Sequence, residues 1–482
     1  MSFKHTFGYL AFLLVLSVSS CSDDSINPAP VKPNPIPNPN PGSNVTFVGF
    51  KVDSVLTVSE MVSAEKERVR LGYSFGHTDF EPTGFYLPAN GTLKIKVEQV
   101  AGNRLPKLMI GTYSRYLSLP TGWSTGIPEI QLVAGENTIK DVKGQGGLLY
   151  IRYANSSPTA KAKVLFISGF KPVPFYIKGK TKKSEWLSML AQLNNVPDVQ
   201  LVGDKAFIVS SFSKALQYKD EDQDAVLNKI DEVAHLENVI SGLDNSSYEH
   251  QESPLRIMMT EHDDPNAFMY AWNLRTAYTA SEMDKLLTLK GIGTNGWGPW
   301  HELGHLHQQS AWTWGALGEV TVNIYSLAVQ RSLAPTTNRL RDEKDWGRAI
   351  DYLKLPNEDK DFNGSTDGKD AAGHDIYRYK SPVTDVFVRL CMFQQLQIAF
   401  GDQFYTSLHK YTRSYPPVIN NDDDKMKYFM TRACKIADKD LSDFFKKWGL
   451  RLSSQALTDD AYKAISDLQL TKPDKDLTLL TD

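Results

Sequence analysis

A chain of 482 residues with a formal net charge of −3 has length for more than one domain but no basic field with which to hold a nucleic acid. Its three cysteines are too few for a disulfide framework. At the N-terminus, Lys4 and His5 precede the apolar run FGYLAFLLVLSV, which ends in Ser19, Ser20 and Cys21. That run is too short to span a bilayer and reads as a lipoprotein signal peptide over residues 1–20. Cys21 is then the lipidated first residue and the point of contact with a membrane; the alternative is a plain secretory signal with an incidental cysteine. The following NPAPVKPNPIPNPNPGSN alternates proline with small polar residues and cannot form a core, so residues 21–44 read as an extended linker.

Residues 45–171 read as β structure. LKIKVEQV, PKLMIGTY, PEIQLVAGENTIKDV, LLYIRYA and AKVLFISGF are short, β-rich and separated by Gly, Pro and Asn, which predicts a β-sandwich. Its aromatic residues Tyr113, Tyr116 and Trp123 suit glycan binding, core packing or packing between domains. From Pro172 the pattern changes to α+β. SEWLSMLAQLNN and QDAVLNKIDEVAHLENVISGL have helical periodicity, whereas VQLV, AFIVSS and LRIMMT are strand-like.

GWGPWHELGHLHQQSAWTWGALGEVTVNIYSLAVQ, residues 296–330, carries the chemistry. His301 and His305 are four residues apart, about 40° around a helix, so both imidazoles leave one face and can reach one ion. Glu302 stands beside the ion rather than in line with it, placed to take a proton from water. This is the HExxH arrangement of zinc peptidases. A catalytic zinc takes three protein ligands and keeps one position open, and Glu319 is the best third ligand. It lies past a Gly315/Gly318 break, at the start of EVTVNIYSLAV, and a second helix packed on the first returns it to the ion. His307, two residues beyond His305 and about 200° around, is expected at the surface or behind the site.

Farther along, DKDFNGSTDGKD places Asp359, Asp361, Asn363, Asp367 and Asp370 at EF-hand-like ligand positions with Gly364 at the turn, so Ca2+ and a solvated acidic loop are both open readings of Asp359–Asp370. NNDDDK at 420–425 lacks that spacing and reads as solvated surface. Cys391 and Cys434 lie in apolar helical patterns and read as buried free thiols. The last convincing helix is DKDLSDFFKKWGL, so the second domain is placed at 172–454, with 455–482 a short helical or poorly ordered C-terminal tail.

WGPWHELGHLHQ and GEVTVNIYSL resemble the catalytic helices of the M60-like, enhancin-related zinc metallopeptidases, whose signature is HExxH followed at variable distance by Glu. PTGFYLPANGTLKIKV, GGLLYIRYANSS, VFVRLCMFQQLQIAFGDQFYTSLHKY and DLSDFFKKWGL resemble the flanking segments, so the resemblance runs from about Val52 to Leu450. It implies a multi-domain fold, an N-terminal β-sandwich followed by an α+β, gluzincin-like zincin domain with a mostly helical C-terminal half. It further implies zinc on His301, His305 and Glu319, Glu302 as general base, and glycoprotein substrates with mucin-like O-glycosylated segments. SDDS after Cys21 resembles the export signal of Bacteroidetes-type surface lipoproteins, which implies an outer-membrane lipoprotein exposed on the cell. Thermolysin-like zincins often place an Asp one turn after the third ligand; this chain has Asn323, which can orient a ligand but carries no charge. By analogy with zincins, LRIMMTEH is a candidate for the strand that pairs with substrate. Tyr325 and His307 are candidate oxyanion donors, and Trp297, Trp300, Trp312 and Trp314 suit sugar stacking or helix packing. Two rivals remain: a surface glycan-binding lipoprotein with a non-catalytic zinc motif, and a zinc endopeptidase for unglycosylated peptide.

Overall fold

Alternation decides the first layer. In Thr92–Ala101, Leu93, Ile95 and Val97 turn inward while Lys94, Lys96 and Glu98 face solvent. The computed structural model describes residues 45–115 and 126–482. The signal-peptide, Cys21 and linker readings, and those of Tyr116 and Trp123, lie outside the described residues. A four-stranded antiparallel sheet runs Val55–Ser59, Lys161–Ser168, Thr92–Ala101, Gly135–Lys140 in spatial order. A five-stranded antiparallel sheet runs Lys171–Pro172, Glu81–Leu87, Gly147–Arg152, Lys107–Ile110, Glu129–Gln131. The two face each other across an apolar core, with Phe85 of one against Phe166 of the other at 4.6 Å between ring centroids. This is the expected β-sandwich. One helix, Ala64–Leu71, lies within the same stretch of chain, capped by Ser63 and ended by Gly72 at φ 70°.

The second domain is built on a six-stranded sheet ordered Phe175–Ile177, Asp198–Val202, Ala206–Ser211, Ile257–Glu261, Arg275–Tyr278, Met269–Trp272. Both of its faces are covered. On one, Val199, Leu201, Ile208 and Met259 pack with Leu227, Ile230, Trp300 and Leu303 of the helices. On the other, Val202, Phe207, Val209 and Met258 pack with Met109, Leu148 and Tyr150 of the five-stranded sheet. Gly147–Arg152 is therefore covered from two sides, which is why LLYI reads as an unbroken apolar run rather than an alternating one.

Beyond residue 318 the chain is mostly helical, with Gly318–Leu333, Val386–Phe400, Gln403–Ser414, Asp422–Ala437 and Gln455–Ser466 the longest pieces. The 455–482 segment is not a loose tail. Ala461 and Ile465 of its helix enter the core, and Gln395 Nε2 donates to the backbone oxygens of Thr478 and Leu480 at 2.9 and 3.1 Å. NNDDDK is largely exposed, as expected, but it also starts the Asp422–Ala437 helix, with Asn421 as cap and three Asp in the first turn where the helix dipole favours them. Cys391 and Cys434 are buried free thiols.

Candidate metal centre

The motif helix, Trp297–His305, crosses the helix Gly318–Leu333 at Gly304. A Cβ on Gly304 would sit 2.8 Å from the Val322 backbone oxygen, so the absence of a side chain is what lets the two helices come this close. Between them the chain passes through a short 3-10 turn, Gly315–Leu317, and Glu319 emerges in the first turn of the second helix.

The crossing brings three predicted residues together. Glu319 Oε2 lies 3.0 Å from His301 Nε2 and 3.5 Å from His305 Nε2. Ligands on a tetrahedral zinc with bonds of about 2.0–2.2 Å stand about 3.3–3.6 Å apart; the His305 separation falls in that range and the His301 separation is about 0.3 Å shorter. Among the described residues, this is the one group of His, Cys, Asp or Glu whose ligand atoms lie within 4.8 Å of one another. Each imidazole is also fixed from behind. His301 Nδ1 lies 2.9 Å from Asn323 Oδ1, and the Asn323 amide nitrogen donates to the Glu319 backbone oxygen, which orients the amide. His305 Nδ1 lies 2.8 Å from Gln308 Oε1, and Gln308 Nε2 donates to the Gly318 oxygen and Thr321 Oγ1, both at 2.8 Å. Donation of each Nδ1–H to an amide oxygen is the arrangement that would leave both Nε2 atoms to a metal at the shared point.

Glu302 is 6% exposed, and its Oε2 has no hydrogen-bond partner among the described residues. Burial pushes its carboxyl up to about 7. Burial also works against the charge of Glu319, but the hydrogen bonds from His301 and His305 hold that carboxyl well below the usual range.

Several expectations are corrected. The motif helix ends at His305, and the amide of His307 turns back to the Gly304 oxygen, so the helical angle does not carry through to His307. His307 is buried, 3.0 Å from Asn238 Oδ1 and 2.9 Å from Glu237, rather than at the surface. Tyr325 is buried too and donates to the His307 backbone oxygen at 2.7 Å. Neither is placed as an oxyanion donor. Trp300, Trp312 and Trp314 are core residues whose indole N–H groups go to Ile292 O, Gln309 Oε1 and Asn363 Oδ1, so no face is left for sugar. Trp297 is half-buried under Arg339, whose guanidinium carbon lies 4.6 Å from its ring centroid. Tyr113 is half-buried between Phe80 and Arg275, the packing alternative.

The Asp359–Asp370 segment does not gather its ligands. Asp361 accepts from the backbone of Asn363 and Ser365, Asp367 from Arg378, Asp370 from the backbone of Ala372 and His374, and Asn363 Oδ1 from Trp314. Thr366–Lys369 and Asp375–Tyr377 form a hairpin where an EF-hand has its second helix.

LRIMMTEH supplies an interior strand. Ile257–Glu261 lies between Ala206–Ser211 and Arg275–Tyr278, parallel to both, and has no edge to offer. The edge strand beside the motif helix is Met269–Trp272, where Met269 Sδ approaches Gly298. Its hairpin turns through Asn273 and Leu274, and Leu274 takes φ 73°, a conformation sequence reasoning does not expect of a leucine. Gln308 was missed as well, because the chain has left the helix before it and no periodic spacing points back to His305.

Residues 169–449 match the family described as peptidase M60, enhancin and enhancin-like, and residues 62–167 match the N-terminal domain of M60-like peptidases. Among curated proteins, TRPM8 channel-associated factor 1 of Bos taurus is 25% identical over 389 residues, 79% of this chain and 39% of that protein. TRPM8 channel-associated factor 2 of Mus musculus is 24% identical over 437 residues, 87% of this chain and 43% of that protein. The chain thus spans about two fifths of the curated relatives it matches. Among solved structures, a functionally unknown conserved protein from Bacillus anthracis str. Ames is 31% identical with a TM-score of 0.74, covering 89% of this chain and 81% of that one. The M60 catalytic domain of Clostridium perfringens ZmpC, in complex with the sialyl T antigen, superposes with a TM-score of 0.68 at 21% identity over 89% and 82% of the two chains. A metallopeptidase in complex with Tn antigen gives 0.68 at 17% identity over 89% and 80%. With 169–449 matching the peptidase model and 62–167 its N-terminal companion, the chain belongs to the M60 family of enhancin and enhancin-like peptidases.

Proposed function

We propose that this protein is a zinc endopeptidase that cuts glycoproteins at mucin-like O-glycosylated segments, tethered outside the cell through Cys21. The observation that carries the reading is the convergence of His301 Nε2, His305 Nε2 and Glu319 Oε2, with the buried Oε2 of Glu302 unpartnered beside them. Two neutral imidazoles and one carboxylate, each imidazole fixed through Nδ1, are a donor set that suits zinc. When bound, zinc acts as a Lewis acid on the scissile carbonyl and makes water easier to deprotonate. Glu302 Oε2 accepts the proton of the attacking water and returns it to the leaving amine nitrogen, so the water's oxygen ends on the carbonyl carbon and both new ends of the chain are complete. Substrate backbone adds as a strand along Met269–Trp272. In a hairpin with a two-residue loop the paired residues alternate, so Met269 and Ala271 turn their N–H and C=O groups to the open edge.

Family membership supports the peptidase class, and the two neighbours solved with sialyl T and Tn antigens support an O-glycan next to the scissile bond. Binding energy from that sugar then positions the carbonyl. The test is digestion of one defined peptide with and without its O-linked sugar, read by mass spectrometry. Cleavage of the glycosylated form alone is expected. Equal rates leave an endopeptidase for bare peptide, and a zinc-loaded protein that cuts neither makes a surface glycan-binding lipoprotein the better reading.

A further inference from the structure

Between the helix Ala64–Leu71 and the strand Glu81–Leu87, residues 72–80 leave the N-terminal domain and lie along the second domain as a strap. At one end, Gly76 accepts from the Leu274 amide at 2.8 Å, Thr78 N donates to Arg256 O at 2.9 Å, and Thr78 Oγ1 accepts from the Met258 amide at 2.8 Å. At the other end the strap meets the loop that follows the motif helix. Tyr73 and Gln309 form a β-bridge, Ser74 N donates to the Gln308 backbone oxygen at 3.0 Å, and Ser310 N donates to the Gly72 oxygen at 2.9 Å. Gln309 Nε2 adds a bond to Leu71 O, and Tyr73 and His77 pack on His307 with ring centroids 5.6 and 6.1 Å apart.

Gln308 is thus held on three sides: its backbone by the strap, its amide nitrogen by Gly318 and Thr321, its Oε1 against His305 Nδ1. We propose that Gln308 is a positioning residue for the metal ligand His305, and that the strap holds it in place, so that the metal centre is completed by the N-terminal domain. The inference rests on the metal-centre reading. Without the strap the loop 307–310 loses its backbone bonds to Gly72 and Ser74, and the Gln308 backbone is no longer fixed on that side.

Two measurements on the full chain test it. Gln308→Met keeps the side chain's length but cannot accept from Nδ1, and zinc affinity, measured by competition with a chromophoric chelator, is expected to fall about 10- to 100-fold. Coupling between two sites is reciprocal, so zinc binding must in turn steady the strap. In wild-type protein, hydrogen exchange at the Ser74 and Ser310 amides is expected to slow on zinc loading by more than it does in the remote strand Thr92–Ala101. Wild-type affinity in Gln308→Met overturns the positioning role, and slowing no greater than in the remote strand overturns the strap's part. A wild-type protein that takes up no zinc overturns this inference and the metal-centre reading together.

Discussion

Glu302 and the three converging side chains lead to separable expectations. Glu302→Gln keeps the shape of the side chain but removes the proton acceptor, so peptide cleavage is expected to fall by about 10²–10⁴-fold while zinc content stays at wild-type level. Metal analysis beside a glycopeptide digest checks this, and loss of zinc along with activity would make Glu302 a ligand instead. His301→Ala, His305→Ala and Glu319→Ala are each expected to yield metal-free protein, because two remaining ligands hold zinc poorly. Glu319→Ala is the decisive one: full occupancy would mean that another group supplies the third bond. These residues could be read from sequence because HExxH needs only local helical spacing, and because a glycine break followed by a glutamate at a helix start implies a return. Gln308 could not be, since its role depends on where the chain goes after the helix stops.

At the scale of elements, Gly304 sets the distance between two helices. Gly304→Ala places a methyl group 2.8 Å from the Val322 oxygen, and that backbone atom cannot rotate away. The helices must spread, at an expected cost of about 1–3 kcal/mol read as a lowered melting temperature. Zinc affinity should fall with it, because Glu319 rides on the helix that moves. The edge strand offers a cleaner dissection. Ala271→Pro deletes an N–H that faces the open edge while leaving the Trp272–Arg275 and Tyr270–Ala277 pairs intact, and proline is tolerated on edges. A drop of about tenfold in kcat/KM with unchanged zinc content is expected, whereas unchanged kinetics would put the substrate elsewhere. The analogy with zincins points to LRIMMTEH instead, as a strand-like segment upstream of the motif. Ile257–Glu261 is buried throughout, the mark of an interior position, whereas the edge, MYAW, is a four-residue strand with three half-buried residues.

Across the whole molecule, the five-stranded sheet serves two cores, one with the four-stranded sheet and one with the six-stranded sheet. Residues 45–482 are accordingly expected to unfold in one calorimetric transition, and Leu148→Ala, which opens a cavity in the core shared with the second domain, to lower that transition by about 2–5 kcal/mol. Two resolved transitions would show that the sandwich folds and melts by itself. The succession of β then α+β patterns made the fold class legible. That LLYI is covered from both sides was visible only as the loss of alternation, and the strap depends on contacts from 178 to 238 residues apart in the chain, which no local pattern encodes.

Asn323 and Gln308 are amides, and amides do not titrate. Metal binding needs deprotonated ligands, so acid is expected to release the metal, while the groups that aim the two imidazoles keep their charge and hydrogen-bonding character. A centre propped by carboxylates would lose its props along with its metal. Here acid is expected to empty the site while Asn323 and Gln308 stay able to aim the imidazoles, so that neutralisation allows reloading.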